Sequence, residues 1–150
     1  MMSDAKILFN KTRAYAQLPY YAHEDDAGFD ILACLHEEGR VIIAPGTTAK
    51  IPTGLASEIP TGLLVSVRHR SGLAAKNHLT IQNTPGTIDS GYRGEWFILL
   101  RNEGDNPFVV THGTRIAQGL LERSHKASIE WSSELSKTTR GIGGFGSTGL

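Results

Sequence analysis

Cysteine is almost absent: Cys34 is the only one in 150 residues, so no intrachain disulfide framework can form and a reducing compartment fits. Set in an apolar stretch, Cys34 reads as a buried structural thiol. Long apolar runs are missing too. No segment approaches the roughly 18 apolar residues of a membrane span, and residues 1–11 lack the apolar region of a secretory signal. We therefore expect a soluble, cytoplasmic protein without membrane attachment. Neither sign of charge is in excess, with 15 Lys and Arg against 15 Asp and Glu. Without a global basic field there is no attraction for nucleic acid, and any polyanion must be gripped by a local cluster. The six histidines show no metal-ligand spacing such as His-x-x-x-His, which argues against a zinc site.

What the chain does have is glycine, 17 residues of it, much of it gathered into short segments. Short apolar runs separated by Gly, Pro and Asn recur about every ten residues, the pattern of an all-β domain. Candidate strands are residues 5–9, 28–35, 62–68, 78–82, 96–101, 108–111 and 115–121. Residues 40–44 and 47–51 flank Pro45-Gly46 and read as a hairpin. The alternation in residues 62–68 turns one face to a core and delivers His69 and Arg70 to a rim. Residues 115–121 read as strand because Gly119 would weaken a helix interior by about 1 kcal/mol. Gln118 then projects from that strand.

Residues 70–76, Arg-Ser-Gly-Leu-Ala-Ala-Lys, change period. Ser71 is suited to cap and the next residues are good helix formers, so this is the one expected helix. Arg70, Ser71 and Gly72 at its start offer a guanidinium and free N–H groups to a phosphate, or simply cap the helix.

Residues 86–95, Gly-Thr-Ile-Asp-Ser-Gly-Tyr-Arg-Gly-Glu, lie between two apolar runs. Asp89 follows the β-branched pair Thr87 and Ile88, at the end of an extended segment where a carboxylate can be held still and partly dried, as a general base requires. Taken alone, the stretch reads as readily as ordinary hairpin chemistry. Asn83, Asp89 and Tyr92 are expected on two arms of one hairpin, with room for a flat ligand between them. The chain ends in Arg140-Gly-Ile-Gly-Gly-Phe-Gly-Ser-Thr-Gly, which has no core of its own. It is either a linker without a role or a lid in which Arg140, Phe145 and the hydroxyls of Ser147 and Thr148 close over a ligand.

In order and spacing, residues 27–33, 70–76, 86–95, 113–118 and 140–149 resemble the five motifs of the trimeric dUTPases, over nearly the whole chain. The resemblance implies a jelly-roll-like β-barrel with one short helix over residues 1–135 and a flexible C-terminal lid over 136–150. It implies a homotrimer with active sites at subunit interfaces. The activity would be hydrolysis of dUTP to dUMP and pyrophosphate, limiting uracil in DNA and supplying dUMP for dTMP synthesis. Asp89 would activate the water that attacks the α-phosphorus. Mg²⁺ would be held mainly by the triphosphate, with Asp30 orienting one of its waters. Arg70, Ser71, Gly72 and Gln118 would contact phosphate, joined by Arg140, Gly146, Ser147 and Thr148 of the tail. Backbone groups of Gly86, Thr87 and Ile88 and the Asn83 amide would read uracil, and Tyr92 would exclude a 2′-hydroxyl. Phe145 would stack on the base.

Three positions depart from the family pattern: His69 stands in place of proline, Gly91 in place of a second acid, and Thr114 in place of an acid before Arg115. They put loop geometry and the partner of Arg115 in question. The related dCTP deaminases need a glutamate where this chain has Leu99, which disfavours deamination. A catalytically silent nucleotide-binding module is the remaining alternative, and the intact Asp89, Tyr92 and tail argue against it.

Overall fold

Period-two burial organises this chain: in β9 (Phe97–Asn102), Ile98, Leu100 and Asn102 are buried while Phe97, Leu99 and Arg101 face outward. The computed structural model describes residues 5–146. Among them are β1 (Leu8–Lys11), β2 (Gly28–Leu32), β3 (Arg40–Ile43), β4 (Thr48–Pro52), β5 (Leu55–Glu58), β6 (Leu63–Arg68), β7 (Leu79–Ile81), β8 (Gly86–Asp89), β10 (Phe108–Thr111), β11 (Arg115–Arg123) and one helix, α1 (Ser71–Asn77). All pairings are antiparallel. A sheet in the order β2-β11-β6-β8 and a second in the order β4-β9-β7 are accompanied by the pairs β1-β5 and β10-β3. Phe29, Ile31, Ile51, Val65, Leu79, Trp96, Ile98 and Ile116 belong to one continuous core. The expected all-β class with a single short helix is therefore what the chain adopts.

Residues 115–121 do form strand, extended to Arg123. Gly119 is required there for a reason beyond helix avoidance: a Cβ would lie 2.5 Å from the Phe29 ring. Cys34 is buried and free, and burial pushes its thiol pKa up, consistent with a structural role.

Two expectations fail for one reason, that neighbours in sequence join different sheets. The turn at Pro45-Gly46 exists, with Gly46 at φ 71° and the Thr47 N–H donating to the Ala44 carbonyl. It does not close a hairpin, since β3 pairs with β10 and β4 pairs with β9. Asn102 holds this corner: fully buried, it donates to the Ile43 and Asn106 carbonyls and accepts from the Gly104 N–H. Likewise β7 and β8 are not arms of one hairpin; β7 pairs with β9 and β8 with β6.

The helix also differs in detail. Arg70, extended at φ −84° and ψ 129°, occupies the N-cap position, Ser71 is the first helical residue, and no side chain caps the end. Backbone continuity with β6 keeps Arg70 extended, and its guanidinium is drawn elsewhere.

Candidate active site

That destination is Asp30 on β2, which is 8 % exposed. Arg70 Nε lies 2.9 Å from Asp30 Oδ1, and Arg115 Nη1 donates to Asp30 Oδ2 at 3.1 Å. Arg70 also donates to the Arg115 carbonyl at 3.3 Å. Around them a cavity of about 440 Å³ is lined by Asp30, Arg70, Ser71, Gly72, Arg115 and Gln118. Asp30 lies between the two guanidiniums, a second carboxylate, Asp26, also lines the cavity, and Arg115 keeps 44 % of its side chain exposed. The arrangement suits a polyanion. Arg68 lines the same cavity but is committed to Glu122 and Ser66.

Arg115 and Gln118 are three apart, so a regular strand would point them to opposite faces. The register of β11 against β2 shifts between Arg115 and Ala117, and this bulge, with Ile116 and Ala117 both buried, turns both polar residues into one cavity. Gln118 Nε2 donates to the His69 carbonyl at 3.1 Å. Gly28 leaves room for it: a Cβ there would lie 2.9 Å from Gln118 Oε1.

A second cavity, of about 460 Å³, brings together Asn83, Thr87, Ile88, Asp89 and Tyr92. The residues expected on one hairpin thus meet, though across two sheets. Because β8 is the edge strand of its sheet, its outward N–H and C=O groups have no strand partner among the described residues and are available to a ligand. Gly86 is buried in β8 with the Asn83 Nδ2 3.5 Å from where its Cβ would sit, so Asn83 lies at the Gly86 end of the strand. Asp89 ends β8 as expected, but it is exposed instead of partly dried, since β8 is an edge strand with no further strand beside it among the described residues. Drying must come from another segment. Tyr92 is fixed by its N–H to the Asp89 carbonyl at 3.1 Å and by its hydroxyl to the Glu95 carbonyl at 3.0 Å. The Glu95 carboxylate accepts from Arg13 at 2.6 Å and from the Gly54 N–H at 3.0 Å.

The two cavities share no lining residue. Asp89 pairs with Leu64, and Val67 with Gly86. Asn83 and Asp89 thus lie at opposite ends of β8, and Arg70 follows the end of β6 that is nearer Asn83. Arg70 lies six residues beyond Leu64, about 20 Å along extended chain.

In the tail, Arg140 donates to the Gly143 carbonyl at 2.9 Å, and Gly141 and Gly146 take positive φ of 55° and 93°. Phe145 is fully exposed and touches neither cavity. Ser147 and Thr148 lie outside the described residues. No strand follows Arg123 among the described residues.

Sequence reasoning did not assign Arg115 a role or Asp30 its two arginines. The consecutive apolar residues Ile116 and Ala117 between polar Arg115 and Gln118 were the available signal for the bulge. Of the three departures, Gly91 faces open space, and Thr114 accepts from the Thr111 N–H while Arg115 finds its acid in Asp30. A separate, mostly apolar cavity of about 360 Å³ beside Cys34 and His36 contains none of the predicted site residues.

Comparison with known proteins identifies the family and supports the fold. The family model described as dUTPase matches residues 14–149. The chain is 46 % identical over 145 residues to the deoxyuridine 5'-triphosphate nucleotidohydrolase of Gloeothece citriformis (strain PCC 7424), covering 97 % of each chain. It is 46 % identical to the protein of that name from Leptospira interrogans serogroup Icterohaemorrhagiae serovar copenhageni, covering 96 % of this chain and 99 % of the relative. Among solved structures, the Staphylococcus bacteriophage 80alpha dUTPase with dUPNHPP superimposes with a TM-score of 0.84 at 26 % identity, covering 97 % of this chain and 99 % of that one.

Proposed function

The chain belongs to the dUTPase family, and on that premise we propose that it hydrolyses dUTP to dUMP and pyrophosphate in sites completed by neighbouring subunits of a homotrimer. The single observation that carries the shared site is that Asp89 lies beside Leu64 at one end of β6 while Arg70 lies beyond the other end, so a nucleotide with its base at Asn83 and its α-phosphate at Asp89 extends its phosphates away from its own Arg70. One subunit contributes the base and sugar pocket with Asp89, and the next contributes the phosphate cluster of Arg70, Ser71, Gly72, Arg115 and Gln118.

In the reaction the Asp89 carboxylate takes a proton from a water whose oxygen attacks the α-phosphorus in line. The bond from that phosphorus to the bridging oxygen breaks, and pyrophosphate departs with the electron pair while the guanidiniums balance its charge. Burial of Asp89 by the neighbouring subunit and the tail supplies the drying that its own chain does not. The outward backbone groups of Gly86, Thr87 and Ile88 and the Asn83 amide pair with the donor and acceptor edge of uracil. Tyr92 packs on the deoxyribose and leaves no space for a 2′-hydroxyl. Phe145 stacks on the base as the tail closes, and Arg140, Gly146, Ser147 and Thr148 hold phosphate oxygens.

No group of three metal-ligating side chains occurs among the described residues, and both oxygens of Asp30 already accept from arginine. Such a donor set suits an ion carried by the substrate: Mg²⁺ held by the triphosphate would neutralise phosphate charge without a protein cage. Asp30 retains lone pairs for a water of that chelate. Deamination is disfavoured by the pocket itself, where Leu99 occupies the wall and the second carboxylate, Glu95, is paired with Arg13.

Pyrophosphate release from dUTP, dCTP, dTTP and UTP tests the reading. Turnover confined to dUTP is expected; equal turnover of dTTP or UTP, or none with dUTP, would overturn it. Removal of dUTP limits uracil in DNA, and the dUMP released supplies dTMP synthesis.

A further inference from the structure

We infer that Gly94 is a specificity-determining position, the residue whose missing side chain sets the Tyr92 ring at the sugar. This rests on the proposed reading of Tyr92 as the sugar gate. A tyrosine 44 % exposed would ordinarily sample several side-chain orientations. Tyr92 is instead folded back over its own turn: its hydroxyl reaches the Glu95 carbonyl at 3.0 Å, and the ring crosses Gly94. A Cβ at position 94 would lie 2.5 Å from the Tyr92 hydroxyl oxygen, 2.6 Å from Cζ and 2.8 Å from Cε2. These are distances at which the ring must leave.

The constraint at this position comes from the Tyr92 ring and not from a left-handed backbone. Gly94 is not among the residues of positive φ, and no atom other than those of Tyr92 stands among the three nearest to its Cβ position. Alanine therefore meets no left-handed φ here, and the closest conflict falls on the ring. The acceptor is fixed independently, because Glu95 is anchored through its carboxylate to Arg13 and to the Gly54 N–H. A displaced ring loses its hydrogen bond and opens the space in which a 2′-hydroxyl would sit. Gly91, three residues earlier in the same turn, supplies the internal control: its Cβ would meet nothing within 4 Å.

The experiment compares kcat/KM for dUTP and UTP in wild type, Gly94→Ala, Gly91→Ala, Tyr92→Phe and Tyr92→Ala, with melting temperatures to establish folding. Gly94→Ala is expected to lower the preference for dUTP by about tenfold or more, as Tyr92→Ala does, while Gly91→Ala keeps it. Tyr92→Phe removes only the bond to the Glu95 carbonyl and is expected to lower the preference by about threefold to fivefold. It reports on the same restraint should Gly94→Ala fail to fold. Unchanged preference in Gly94→Ala or in Tyr92→Phe, with Tyr92→Ala impaired, would overturn the inference and leave the sugar gate standing. Unchanged preference in Tyr92→Ala would overturn both.

Discussion

Asp30 and Arg70, forty residues apart in the chain, are joined by a 2.9 Å ion pair that ties strand β2 to the start of the helix. The same carboxylate holds Arg115 through its other oxygen, so one acid aims two cations at one cavity.

Asp30→Asn is expected to cost about 1–3 kcal/mol of stability, below the range for fully buried pairs because Arg115 remains partly exposed. It should also raise KM for dUTP, since Arg70 loses its anchor. If net charge alone governed phosphate binding, the neutral asparagine would lower KM, so the direction of change decides. Urea unfolding and steady-state kinetics measure both effects.

Gly119→Ala should destabilise the fold by about 1–3 kcal/mol, the range for overpacking a core. The added methyl meets the Phe29 ring at 2.5 Å and Val65 at 3.1 Å. The entropic gain from replacing glycine, at most about 1 kcal/mol, is smaller. A midpoint of urea unfolding equal to that of wild type would contradict this packing.

Deleting residues 140–150 should leave the melting temperature and assembly unchanged, because no residue of 140–146 is buried. Loss of the Phe145 stacking contact alone, about 1–3 kcal/mol, predicts a fall in kcat/KM of about fivefold to 150-fold. An unfolded or monomeric product would contradict the assignment of the tail as a lid.

What was legible in the sequence was local. Gly119 argues for strand in residues 115–121, the change of period after Arg68 marks the helix, and Pro45-Gly46 marks a turn. What was hidden depends on which strands pair across the chain. The turn at Pro45-Gly46 looks like a hairpin until β3 and β4 are seen to join different sheets. Asp89 looks sheltered until β8 proves to be an edge strand. The partners of Asp30 come from 40 and 85 residues away, and Arg115 reaches it only through a bulge. No local pattern encodes those distances. The resemblance of five ordered segments to one family supplied the functional reading that spacing alone left open.

The central claim is that Asp89 and Arg70 serve one site from different subunits, and subunit mixing tests it most directly. Asp89→Asn, expected to turn over at least about 100-fold more slowly, and Arg70→Ala should each be nearly inactive alone. Unfolded together in equal amounts and refolded, they should recover about one quarter of wild-type activity per subunit, because one interface in four then pairs an intact Asp89 with an intact Arg70. Mixed trimers no more active than their parents would place both residues in the same subunit's site and contradict the account.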